Sequence, residues 1–267
     1  MAPILKTPEQ VDAIGRSARI VGLALARVAE ALKPGITTAK LDAFAEEVIR
    51  DYGAIPAFKG YNGFPATLCI SVNEAVVHGI PGSYEVREGD LVSVDCGVLL
   101  DGWHGDSAYT FLVRDVEKPK IELCRTTFES LEKSITFAAP GKTVGDLGHF
   151  IQKYVEMRGF SVVRELVGHG LGRQLHEPPE VPNYGKPGRG AVLKEGLVIA
   201  IEPMVNMGQR FVRTLSDNWT VVTADGLPSA HYEHTVAVTQ SGVEKLSDFS
   251  AVESAISSNP YLMPLYG

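Results

Sequence analysis

Four carboxylates stand where a carboxylate is costly. Asp95 follows the apolar run Leu91-Val92-Ser93-Val94, and Glu202 follows Leu197-Val198-Ile199-Ala200-Ile201. Asp106 directly precedes SAYTFLV, and Glu233 directly precedes His234-Thr235-Val236-Ala237-Val238. Acids are depleted in strands, and an unpaired buried carboxylate is expensive unless it takes up a proton. The acids also occur in duplicate. EGDLVSVD (88–95) matches EGLVIAIE (195–202) at an offset of 107 without a gap. Upstream, PGITTAKLDAFAEEVIRDYG from Pro34 matches PGKTVGDLGHFIQKYVEMRG from Pro140 at an offset of 106. Two equivalent strands are therefore expected to end in Asp95 and Glu202, and the strand after each to begin with Asp106 and Glu233.

If the two halves pair about a pseudo-twofold axis, the four side chains converge. Like charges within hydrogen-bonding distance cannot all stay ionised, so such a cluster calls for cations. Two divalent ions cancel four negative charges. Oxygen-rich ligation with an occasional imidazole suits Mn, Fe, Co or Zn. A bridging pair of carboxylates can hold two ions about 3.5–4 Å apart, as in aminopeptidases among other two-metal hydrolases. Three histidines are candidates to join the acids. His169 sits between Gly168 and Gly170 after the strand-like VVRELV, His78 in VVHGIPG, and His176 in the proline-stiffened QLHEPPEVPN. His104, His149, His231 and His234 read as structural or surface residues. Two look-alikes fail: His176-Glu177 begins a zinc-protease pattern, but Glu180 replaces its second histidine and the prolines forbid the helix. Gly168-x-Gly170-x-Gly172 lacks the spacing and following helix of a dinucleotide site.

The elements that must position these groups are legible. Thr7-Pro8-Glu9-Gln10 caps a helix whose stripe Val11, Ile14, Ala18, Val21, Leu25, Val28, Leu32 ends at Lys33-Pro34-Gly35. A second helix is expected from about Thr38 to Tyr52, and further helix near 117–136 and 143–158. LVSVDCG, SAYTFLV, LVIAIEP, NWTVVTADG and HTVAVT read as short strands. The tail after about Ser247 reads as poorly ordered or draped on the surface.

Composition narrows the class. The 267 residues are 45% hydrophobic and 21% charged, ordinary for a globular chain. The net charge of −7 argues against a general DNA binder. No apolar run is long enough to span a membrane, and MAPILKTPEQ has no secretory pattern. Cys69, Cys96 and Cys124 are odd in number and show no CxxC spacing, so a reducing cytoplasm is the expected compartment.

With these residues in view, the chain resembles the type I methionine aminopeptidases in their short bacterial form. The likeness runs from about Lys6 to Lys245 and rests on GYNGFPATLCISVNEAVVHGIPG, VDCGVLLDGWHGDSAYTF, GHGLGRQLHEPPEVPN, VIAIEPMV and NWTVVTADGLPSAHYEHTVAVT. The resemblance implies an α+β pita-bread fold. Two pseudo-symmetric halves (about 34–113 and 140–239) would share a central antiparallel sheet flanked by helices. A dinuclear metal site would lie between the halves of one catalytic domain, 1–247, followed by a C-terminal extension, 248–267. It implies that Asp95 chelates one ion, that Asp106 and Glu233 bridge both, and that His169 and Glu202 complete the second. His78 and His176 would face substrate, the first at the scissile amide and the second at its carbonyl oxygen. Glu202 would carry a proton from the attacking water to the leaving amine. Phe58, Tyr61, Phe64, Cys69, Leu175 and Trp219 would line a methionine pocket, and relatives imply a monovalent cation near Asn73 and Ser229. The implied reaction is removal of the initiator methionine from nascent polypeptides with a small second residue, by a cytoplasmic monomer that visits the ribosome transiently. The rivals are an Xaa-Pro peptidase of the same fold and a non-catalytic binding protein that kept the fold and lost the metals.

Overall fold

The computed structural model describes residues 2–266; Met1 and Gly267, the last residue of the expected tail, lie outside the described residues. Among the described residues there are five α-helices: α1 (Pro8–Ala31), α2 (Thr38–Asp51), α3 (Lys118–Phe137), α4 (Val144–Glu156) and α5 (Ser250–Ser258). The cap expected for α1 forms, with Thr7 and Gln10 exchanging side-chain and backbone hydrogen bonds. Its stripe is buried from Ile14 onward, Ile14, Val21, Leu25 and Val28 fully so, while Val11 is half-buried. Burying each such side chain contributes about 1.5–3 kcal/mol, more than the cap, so packing holds the helix in place. No helix among the described residues is long and apolar enough to cross a membrane.

The first half of the chain builds a five-stranded antiparallel sheet whose fifth strand comes from the tail, and the second half builds another. In the first, Leu91–Leu100 and Trp103–Val113 form a long hairpin, flanked by Leu68–Val72 and Ile55–Pro56 on one side and Leu262–Met263 on the other. In the second, the order is Val243–Lys245, His234–Val238, Val198–Ile201, Gly168–Gly170, Glu177–Val181. The halves meet where Glu233 N–H donates to Ala108 O (2.9 Å) and Thr235 Oγ1 donates to Asp106 O (2.7 Å). α1 packs across the hairpin, and α3 and α4 pack on one another.

Three sequence readings change. Asp95 and Asp106 do not mark strand ends; both lie inside the hairpin, because its turn is the two-residue Asp101-Gly102 with positive φ at both positions. VVRELV is not a strand: only Val162 of that run belongs to one, and the chain bends before Gly168. The tail is ordered. In α5, Val252, Ala255 and Ile256 bury one face against α1, and Leu262–Met263 extends the first sheet along Leu112–Val113. Asn259 donates to Ala29 O and Leu32 O (2.7 and 2.8 Å), binding the tail to the end of α1.

Candidate metal centre and its cavity

The hairpin and the second sheet deliver the acids to one place. Asp95 is opposite Ala108 and Asp106 opposite Gly97, so the two are diagonal neighbours on one face of the hairpin. On the other face, Val92, Val94, Cys96 and Val98 are buried in the main core, which fixes the register. Glu202 follows the Val198–Ile201 strand, and its carbonyl accepts from Asn183 Nδ2 at 2.9 Å. Ser107 Oγ donates to Glu233 O, tying Glu233 to the residue beside Asp106. His169 reaches the acids because the chain around it carries no side chains. A Cβ on Gly168 would strike Ala200 O, and one on Gly170 would strike Pro178 O.

The electrostatics of this cluster require positive charge. Asp106, His169 and Glu233 present ligand atoms within 4.8 Å of one another. His169 Nε2 is 3.8 Å from Asp106 Oδ2 and 3.6 Å from Glu202 Oε1. His169 Nδ1 donates to Gly170 O at 2.9 Å, so Nε2 carries a lone pair rather than a proton. Asp95 Oδ1, Asp106 Oδ1 and Glu233 Oε1 are buried without a hydrogen-bond donor. Acceptors thus face acceptors. Burial pushes Asp95 up to about 7. Burial, followed by the charge of neighbouring acids, raises Asp106, Glu202 and Glu233 well above the carboxylate range, and burial holds His169 down to about 3. The His169–carboxylate contacts are therefore not ion pairs. A divalent cation satisfies the same lone pairs and lets the acids ionise, so the donor set fits metal ions.

The cluster floors a cavity of about 270 Å³. That is slightly below the roughly 300–1,000 Å³ of typical small-molecule sites, room for one residue rather than a length of polypeptide. His78 and His176 border it above the acids. His78 holds φ +58°, a strained conformation for a residue with a Cβ. The His176 ring sits edge-on to His169 at 4.3 Å, and its Nδ1 is 2.7 Å from the Tyr61 hydroxyl. With that hydroxyl as donor, the His176 proton resides on Nε2. Phe58, Phe64, Cys69 and Leu175 form a buried apolar cluster separate from the main core, with Tyr61 and Trp219 packed on it. Trp219 meets Phe64 edge-on at 5.1 Å, positioned by Asp217, which accepts from the Trp219 and Thr220 amides. Asn73 and Ser229 are also neighbours, the Ser229 amide donating to Asn73 O at 2.8 Å.

Every residue singled out from the sequence as ligand, catalytic group or pocket wall borders this one cavity. Sequence reasoning passed over others. Met204 and Asn62 also line it, and nothing in their spacing marks them. His231, read as structural or exposed, is buried, with Nε2 3.8 Å from Glu202 Oε2. Its signal was available: it stands two residues before Glu233, so on an extended chain both point to one side.

Comparison with known proteins agrees with this geometry. The pattern of metallopeptidase family M24 matches residues 12–240. The methionine aminopeptidase of Clostridium perfringens is 54% identical over 244 residues, 91% of this chain and 98% of the relative. Methionine aminopeptidase 1 of Bacillus subtilis is 51% identical over the same shares of the two chains, 91% and 98%. The crystal structure of methionine aminopeptidase from Thermotoga maritima superposes with a TM-score of 0.91 at 44% identity, covering 92% of this chain and 99% of that one. A fold of this kind wrapped around five converging metal-competent side chains, with identity above one half along nearly its whole length, has one reading: the chain belongs to metallopeptidase family M24, among its methionine aminopeptidases.

Proposed function

We propose that this protein is a dinuclear metal hydrolase that removes the N-terminal methionine from nascent polypeptides whose second residue is small. One observation carries the reading: buried acceptors of Asp95, Asp106, His169, Glu202 and Glu233 face one another beside a sulfur- and aromatic-lined pocket. Those five residues would hold two divalent ions of the Mn, Fe, Co or Zn kind. When bound, such ions polarise the scissile carbonyl and acidify the attacking water.

The remaining work falls to side chains of this protein. Phe58, Phe64, Cys69, Leu175, Tyr61 and Trp219 take the methionine side chain, soft surfaces suited to a thioether. The substrate's free amine points toward the acids, which confines cleavage to the first residue. His176, its Nδ1 engaged by Tyr61, donates Nε2–H to the developing oxyanion, worth ~3–4 kcal/mol in sites of this kind. His78 contacts the scissile amide. Glu202 takes the proton of the attacking water and hands it to the leaving amine. On the same reading residues 1–247 are the catalytic unit, and a monovalent cation binds near Asn73 and Ser229. The enzyme is a cytoplasmic monomer that meets its substrates at the ribosome.

The test is release of methionine from Met-Ala-Ser after chelator stripping, with Mn, Fe, Co or Zn added back singly. Metal-dependent release, with no cleavage of an Xaa-Pro dipeptide, is expected. Cleavage of the Xaa-Pro substrate instead, or turnover indifferent to the chelator, would overturn it.

A further inference from the structure

The imidazole of His231 has no part in the scheme above, yet its surroundings are specific. The strand Ser229–His231 pairs with Met204–Asn206, setting His231 opposite Met204, two residues beyond Glu202. Its backbone is clamped from both sides: the amide donates to Thr110 Oγ1 (3.0 Å), and that hydroxyl donates to His231 O (2.6 Å). The side chain is 2% exposed. Nε2 is buried without a hydrogen-bond partner among the described residues, and the polar atom it faces is Glu202 Oε2, 3.8 Å away. A buried donor left without a partner is costly, and an approach of roughly 0.6–1 Å by the Glu202 carboxylate would form the bond.

We propose that His231 is a positioning residue for Glu202, donating Nε2–H to Oε2 and so fixing the direction of the carboxylate. The two oxygens of Glu202 then differ. Oε1 faces His169 Nε2, a lone pair, at 3.6 Å, and is the oxygen turned into the cluster. Oε2 faces a donor and is turned away. Left without that donor, the carboxylate would rotate about its last torsion, and both its ligation and its proton transfer would lose their geometry. Metal-ligating carboxylates are commonly held in this manner by a second layer of hydrogen bonds. The inference rests on the functional reading above and adds a residue to it.

The experiment compares His231→Leu, which keeps bulk without a donor, with His231→Gln, whose amide N–H reaches the same oxygen. Mn²⁺ affinity is read by calorimetry, and kcat and KM on Met-Ala-Ser. His231→Leu is expected to lower both Mn²⁺ affinity and kcat by about 10–100-fold with KM little changed. His231→Gln should restore both to within a few-fold of wild type. Equal impairment in the two variants would mean that the imidazole ligates metal or fills space, and an unimpaired His231→Leu would mean that it does nothing; either overturns the proposal. Imidazole nitrogen NMR shifts of the unaltered Zn²⁺-loaded protein provide a measurement independent of variant folding. They should report a protonated Nε2 on His231, and an unprotonated one would contradict the assignment. If the wild type releases no methionine, the functional reading fails, while the affinities and shifts still decide the role of His231.

Discussion

Replacing Lys6 by Met should destabilise the protein severely, although Lys6 precedes the first helix. Lys6 Nζ lies 2.6 Å from Glu177 Oε2, with side chains only 2% and 3% exposed. At an effective dielectric of ~20, unit charges that close attract by about 6 kcal/mol, which roughly offsets the desolvation of the two ions. The pair itself is therefore nearly neutral, but half of it is not. Removing the ammonium leaves Glu177 buried and uncompensated, at a cost of about 3–5 kcal/mol. Lys6 Nζ also donates to Ile4 O, and Glu177 Oε1 accepts from the Gln174 amide, so the loss loosens the loop that carries His176. Urea unfolding at neutral pH should show the full deficit, and the thermal midpoint should fall by roughly 10 °C. The double variant Lys6→Met/Glu177→Gln should recover a large part of it, which a double-mutant cycle measures. Arg27→Met, at the exposed Arg27–Glu30 pair, should cost under about 1 kcal/mol. A Lys6→Met protein within about 1 kcal/mol of wild type, or losses that simply add in the double variant, would refute the reasoning.

Two further outcomes follow from the geometry. At His78, with φ +58°, His78→Gly should be more stable than His78→Ala by about 1 kcal/mol, reversing the usual order, while both lose turnover; denaturation midpoints and Met-Ala-Ser kinetics check this. Glu132 is held down to about 2 from its ordinary 4.5 by the His234 imidazole and the Lys245 ammonium. A depressed carboxyl contributes stability above its unfolded value, so wild type should exceed Glu132→Gln by a constant margin above pH 4.5, shrinking as pH falls toward 2. A margin that stays flat across that window in acid titrations of stability would contradict the contact.

The acids were legible because they violate the pattern around them. A carboxylate after LVSV or LVIAI is costly in a sheet, and its recurrence at a near-constant offset turned a local oddity into a shared site. Helix α1 was legible from its cap and apolar stripe, and α2 to α4 were expected close to where they lie. What was missed lacked such contrast. In the tail, α5 buries only three of its nine residues, Val252, Ala255 and Ile256, too few for periodicity to stand out among serines. Asp95 and Asp106 read as strand ends because glycine looked like a stop, whereas the turn is made by Asp101-Gly102 alone. His231 carried a partial signal, its place two residues before Glu233, but its neighbour Glu202 is set beside it only by the partner strand. That pairing is non-local, and no window of sequence contains it.

The most direct test of the central claim is anomalous diffraction from crystals grown with Mn²⁺. The account predicts two peaks about 3.5–4 Å apart, enclosed by Asp95, Asp106, His169, Glu202 and Glu233. Absence of any peak among those five side chains, with manganese bound elsewhere on the protein, would contradict it.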